Sequence, residues 1–86
     1  MPKDAHGEMI ENVENAILSL KKKVAFHDKL LKQLEEMIVQ GNQYVSNEYL
    51  TRRFEEVQRE RFEAAFKLIS AESFLEMNRF DTTLLN

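Results

Sequence analysis

The chain has 86 residues, a formal net charge of −3 and no cysteine. This length predicts one domain with a marginal core, and the lack of cysteine excludes disulfides and cysteine–zinc sites. The charges are of mixed sign, whereas nucleic-acid binding needs a clustered basic excess, so we expect no nucleic-acid partner. No stretch reaches the roughly 20 apolar residues of a membrane span, and the N-terminus lacks the apolar part of a signal peptide. We therefore expect a cytoplasmic protein without a membrane partner, and a specialised secretion route stays open.

The first predicted element is a helix over residues 9–40, preceded by a flexible N-terminus at residues 1–8. Gly41 is the only glycine or proline beyond residue 7, and such scarcity of turn residues favours an all-α chain. Seam residues recur at alternating intervals of three and four, which is the spacing of a heptad repeat. This first seam consists of Ile10, Val13, Ile17, Leu20, Val24, His27, Leu31, Leu34 and Ile38.

A turn at residues 41–46 and a second helix at residues 47–79 follow, with a tail at residues 80–86. Gly41 suits a helix C-terminus, and Ser46 or Asn47 suits a helix N-cap. The second seam consists of Leu50, Phe54, Val57, Arg61, Ala64, Leu68, Ala71, Leu75 and Asn78. If the chain folds back at residue 44, every residue of one seam faces a residue of the other. We therefore predict an antiparallel, coiled-coil-like hairpin.

A polar layer is predicted inside this hairpin. His27 and Arg61 are the titratable or charged residues of their seams, and the register places them opposite each other. Glu60 or Asp28 could supply a carboxylate to the layer. A single polar layer in a coiled coil commonly fixes register and orientation, so we interpret His27, Arg61 and Glu60 as a structural layer.

The pair His27-Asp28 also allows a reading as a phosphoacceptor. A histidine followed by an acidic residue on the first helix of a hairpin resembles the dimerisation and phosphotransfer domains of sensor kinases. That resemblance implies a phosphotransfer role for His27 and dimerisation into a four-helix bundle. The arginine or asparagine and the proline that often follow the histidine in that family are absent here, and His27 points into the seam. This reading is kept as an alternative function.

Other chemistry has no support in the sequence. Di-iron bundles need Glu-x-x-His, but Val24 stands three residues before His27 and Lys3 three before His6. No nucleophile–base pair, phosphate loop or dinucleotide fingerprint is present. We therefore expect a non-enzyme that needs no metal or cofactor and has no small-molecule substrate.

A second apolar face on the second helix gives the strongest indication of function. It points away from the first helix, and one helix cannot cover both faces of the other. Exposed apolar patches of this size usually mark interfaces. A flank of the first helix is expected to belong to the same surface. The predicted partner interface consists of Phe62, Ala65, Phe66, Ile69, Met77, Phe80, Met9, Leu30 and Met37.

The sequence thus predicts a helical protein–protein interaction module that serves as a scaffold, an adaptor or a small chaperone subunit. Its partner is expected to be a second copy, in a four-helix bundle, or another helical protein. A further alternative comes from size and shape. The chain resembles the needle-subunit co-chaperones of type III secretion systems and the small hairpin substrates of type VII systems. The Trp-x-Gly turn of the type VII group is replaced here by Val39-Gln40-Gly41.

Overall fold

The fold consists of two long helices that pack against each other. The computed structural model describes the backbone of residues 5–85 and the side chains of residues 6–78. Helix α1 spans Ala5–Gln40 and helix α2 spans Asn47–Leu85. The two helices are in contact, and the described residues contain no strand. The prediction of an all-α, two-helix hairpin is confirmed.

The end of α1 is set by Gly41. Its φ angle is +80°, a left-handed conformation that residues with a Cβ atom rarely adopt. Its N–H donates to the carbonyl oxygen of Met37 at 3.0 Å, which satisfies one of the free carbonyls at the end of α1. Asn42 then tightens the turn, because its side-chain oxygen accepts from the N–H of Tyr44 at 2.8 Å.

The start of α2 is set by Ser46. Its hydroxyl oxygen accepts a hydrogen bond from the N–H of Tyr49 at 3.2 Å, the geometry of an N-cap. Val45, immediately before the cap, packs against the apolar cluster that contains Leu50. These two residues lie on either side of the first turn of α2. Their contact is a hydrophobic staple, which fixes the angle at which the chain enters the helix.

The outer ends of both helices extend beyond the predicted bounds of 9–40 and 47–79. α1 begins at Ala5, within the segment predicted to be flexible, and α2 continues to Leu85, through most of the predicted tail at 80–86. The apolar pattern that defined the prediction starts at Met9 and fades after Asn78. The added segments, residues 5–8 and 80–85, contain no proline. No proline therefore ends a helix that has already formed.

The core is a line of side chains along the predicted seams. Every residue of the two seams is buried or half-buried. Near the turn, Leu34, Leu50 and Val57 form one cluster in which Val57 is fully buried. Each fully buried side chain of this kind contributes about 1.5–3 kcal/mol to folding. The buried apolar residues are Ile17, Leu34, Leu50, Val57, Ala64 and Leu75.

The molecule is long and thin, with extents of 63 × 25 × 14 Å. The shortest extent is close to the diameter of a single helix, so the hairpin is one layer thick. In a single layer, each helix is covered on one side by its neighbour and its remaining surface faces outward. The positions of apolar residues on those outward surfaces therefore decide what the hairpin can bind.

Candidate functional site

The predicted polar layer is built from one histidine and three charged side chains. His27 is 5% exposed, and its Nε2 atom lies 3.4 Å from Oε2 of Glu60 on α2. Next to it, the guanidinium of Arg61 donates from Nε to the carboxylate of Asp28 on α1. Each helix thus contributes one carboxylate and one basic or imidazole group. Because both contacts cross between the helices, the layer links α1 to α2 at mid-length.

The second ring nitrogen of His27 has a different environment. Nδ1 is buried and has no hydrogen-bond partner among the described residues. The contact of His27 with Glu60 is therefore made through Nε2 alone. The His27 side chain as a whole is 7% exposed, which leaves a phosphodonor little access to it.

A groove of about 450 Å³ lies between the far ends of the helices. It is open to solvent, and its seven lining residues are Glu14, Ile17, Leu18, Lys21, Glu72, Leu75 and Glu76. This lining contains neither a histidine nor a hydroxyl side chain. The described part of the chain also holds no group of three histidine or acidic side chains that could bind a metal ion.

The most distinctive surface is on α2. Four large apolar side chains there are between 63% and 70% exposed, and we call them the outer face of α2: Phe62, Phe66, Ile69 and Met77. Ala65 lies at its edge and is half-buried. The predicted interface also included Phe80, whose side chain lies outside the described residues.

The exposure of this face follows from helix geometry. Successive residues of a helix are 100° apart, so Phe66 lies about 160° around the axis from its neighbour Leu68. Leu68 is half-buried at the seam with α1, and Phe66 therefore points away from α1. α2 has apolar residues on two sides, and the hairpin covers one of them.

The flank of α1 that was included in the predicted interface is less exposed than the outer face of α2. Leu30 and Met37 are half-buried and pack against the cluster formed by Leu34, Leu50 and Val57. Flanking positions lie beside the seam, where long side chains can lean onto the core of their own hairpin. Less of their surface is left for a partner than the sequence suggested. Met9, the third residue of this flank in the predicted interface, is 39% exposed.

Other large apolar residues are exposed at scattered positions. Phe26 on α1 is 62% exposed, and its ring lies 6.0 Å from that of His27. Tyr44 and Tyr49 are exposed near the turn. Single exposed apolar side chains are normal on a protein surface, whereas a contiguous set such as the outer face of α2 requires an explanation.

Within the described residues, neither helix has a stretch long and apolar enough to cross a membrane.

Comparison with known proteins gives no further constraint. No protein-family model matches the chain, and neither the curated proteins nor the solved structures compared with it gave a match.

Proposed function

We propose that this protein is a non-enzymatic helical interaction module that binds a helical partner through the outer face of α2. In this role it acts as a scaffold, an adaptor or a small chaperone subunit. The observation that carries the proposal is the exposure of Phe62, Phe66, Ile69 and Met77 on one side of one helix. The seam with α1 buries or half-buries its own apolar residues on α2, whereas these four stay exposed.

The size of the face supports the proposal. A large side chain of this kind presents roughly 200 Å² when fully exposed, so four of them at these exposures present about 500 Å². The largest apolar patch on a typical soluble monomer is about 300–600 Å² and is often functional. The patch is part of a total accessible surface of 7047 Å², and covering it would release ordered water and stabilise the assembly.

The shape of the face favours a helix as its partner. From Phe62 to Met77 it runs about 22 Å along α2, at 1.5 Å per residue. Phe62, Phe66 and Ile69 are spaced by four and three residues, the interval at which a second helix can insert its side chains between them. Aromatic residues and methionine are also frequent anchors of interfaces, since they bury large areas and adapt their shape.

The alternatives have weaker support. A phosphotransfer role needs an accessible histidine, and His27 is 5% exposed. A role as a secretion-system hairpin protein or co-chaperone would be one form of the proposed module, since it also requires a helical partner. The four-helix bundle is the form in which that partner is a second hairpin.

Site-specific photocrosslinking tests the proposal. A photoreactive phenylalanine analogue replaces Phe66, and in a control chain it replaces Phe26, which is equally exposed at 62% but lies alone on α1. We expect discrete crosslinked adducts with the partner protein from position 66 and few such adducts from position 26. Equal adduct formation at the two positions would show that exposure alone causes crosslinking, and the proposed function would then be wrong.

A further inference from the structure

We propose that the partner of the outer face of α2 is the same face of a second copy, with the two α2 helices antiparallel and Arg59 of each copy beside Glu76 of the other. This inference rests on the proposed function, because it names the partner of the same surface. It adds an orientation, a register and a pair of charged contacts, and each of these can be tested separately.

The first argument is the spacing of residues along the face. Three residues of the outer face, Phe62, Phe66 and Ile69, belong to a heptad seam that also contains Arg59, Ser73 and Glu76. The intervals are three, four, three, four and three, and they read the same in both directions. Two copies of this seam that run in opposite directions can therefore place every seam residue opposite a seam residue.

The second argument is the charge at the two ends. In this register Arg59 meets Glu76 of the partner copy, Phe62 meets Ser73, and Phe66 meets Ile69. Twofold symmetry repeats each contact, so the apolar centre is closed at both ends by an ion pair. The five large side chains of the seam, which are all of its residues except Ser73, are exposed. Neither Arg59 nor Glu76 has an ion-pair partner within residues 6–78.

The same charges disfavour the other arrangements. A parallel pair in register would place Arg59 beside Arg59 and Glu76 beside Glu76, and like charges across an interface oppose binding. An antiparallel pair shifted by one heptad in one direction would place Phe66 against Glu76, which would remove a carboxylate from water without a counter-charge. A shift in the other direction would place the charge of Arg59 against Ile69. The proposed register pairs Arg59 with Glu76 and places neither charge against an apolar residue.

The buried area is sufficient for a specific dimer. Two outer faces of about 500 Å² each give roughly 1,000 Å² of apolar surface, and the rim adds to this. Specific interfaces bury about 1,200–2,000 Å² in total, so the dimer would lie at the lower end of that range. Ala65 permits close approach beside Ile69, and Met77 offers a surface for the aliphatic part of Arg59.

A charge-swap series measured by light scattering tests the register. The wild-type chain should form a dimer of twice 10.2 kDa. Arg59→Glu and Glu76→Arg should each raise the dimer dissociation constant about tenfold, because each change places like charges together at both ends of the interface. The double variant should restore the dissociation constant to within about threefold of wild type, since it exchanges the ion pair without removing it.

Lys67→Glu is the matched control. It changes the net charge by the same amount as Arg59→Glu, but Lys67 lies about 200° around the helix from Ile69 and so faces away from the proposed interface. It should leave the dissociation constant unchanged. Loss of dimerisation in Lys67→Glu, or failure of the double variant to recover, would overturn the proposed register.

A spin-label distance tests the orientation. The chain has no cysteine, so Thr51→Cys provides a single labelling position near the start of α2. The antiparallel dimer places the two labels about 50 Å apart, whereas a parallel dimer places them about 10–20 Å apart. The short distance would contradict the inference. A chain that stays monomeric up to ~1 mM would also overturn it, whereas the proposed function is decided separately by crosslinking at position 66.

Discussion

His27 shows how one residue can suggest chemistry in the sequence and packing in the structure. Its ring is enclosed between the helices, one nitrogen lies 3.4 Å from Glu60, and the other has no partner among the described residues. The sequence placed His27, Glu60, Asp28 and Arg61 in one layer. It could not determine which carboxylate contacts which basic group, because that choice depends on side-chain rotamers and not on spacing.

Replacing His27 by leucine should leave the hairpin folded and raise its unfolding free energy by about 0–2 kcal/mol. Leucine has a similar volume, and the change removes a buried nitrogen that lacks a hydrogen bond. Glu60 can return to water because its side chain is 48% exposed. Urea unfolding followed by circular dichroism measures the difference.

Glu60→Gln serves as the control for this variant. It keeps the shape of the side chain and removes the charge of a half-exposed group, so stability should change by less than about 1 kcal/mol. A loss of several kcal/mol in His27→Leu would show that the polar layer stabilises the hairpin.

Leu50 tests the apolar side of the core. It is 2% exposed and belongs to the cluster next to the turn. Leu50→Ala should lower the unfolding free energy by about 2–4 kcal/mol, because it removes buried methyl groups and leaves a cavity. Leu18→Ala is the matched control: Leu18 is 60% exposed, and its truncation should cost less than about 0.5 kcal/mol. Equal losses in the two variants would contradict the observed core.

At the scale of elements, the seams and the turn were accessible from the sequence and the outer helix ends were not. Alternation of three and four residues identifies the buried side of each helix, and Gly41 and Ser46 identify the turn by their conformational preferences. The ends at Ala5 and Leu85 lie beyond the apolar pattern, and the start of α1 was predicted without the use of Asp4, a residue type favoured at N-caps. Leu30 and Met37 show a related limit, since spacing gives the direction of a side chain and not the neighbour onto which it leans.

The N-cap of α2 gives a prediction at this scale. Ser46→Ala removes the acceptor for the N–H of Tyr49 and should cost about 1 kcal/mol of stability. Ser46→Asp should retain most of the stability, because aspartate also accepts this hydrogen bond and its charge suits the helix N-terminus. Ser70→Ala, an exposed position within α2, is the control and should stabilise slightly. Chemical denaturation measures the unfolding free energy of the three variants. If Ser46→Ala is as stable as wild type, the Ser46 cap does not stabilise α2.

At the scale of the whole molecule, the hairpin is one layer of two helices with apolar residues on two sides of α2. The internal seam accounts for the fold, and the outer face of α2 accounts for the expectation of a partner. The outer face was visible in the sequence as a second stripe. Its charged ends, Arg59 and Glu76, were not recognised there, although the continuation of the same three–four spacing could have identified them.

The mass of the chain in solution, measured by light scattering over a concentration series, tests the central claim most directly. Wild type and Phe26→Glu should both have twice the mass of 10.2 kDa, and Phe66→Glu should be monomeric while it keeps its helical content. The reason is that Phe66 and Phe26 are equally exposed but only Phe66 belongs to the outer face of α2. A monomeric wild type, or a Phe66→Glu variant that still dimerises, would contradict self-association through the outer face of α2.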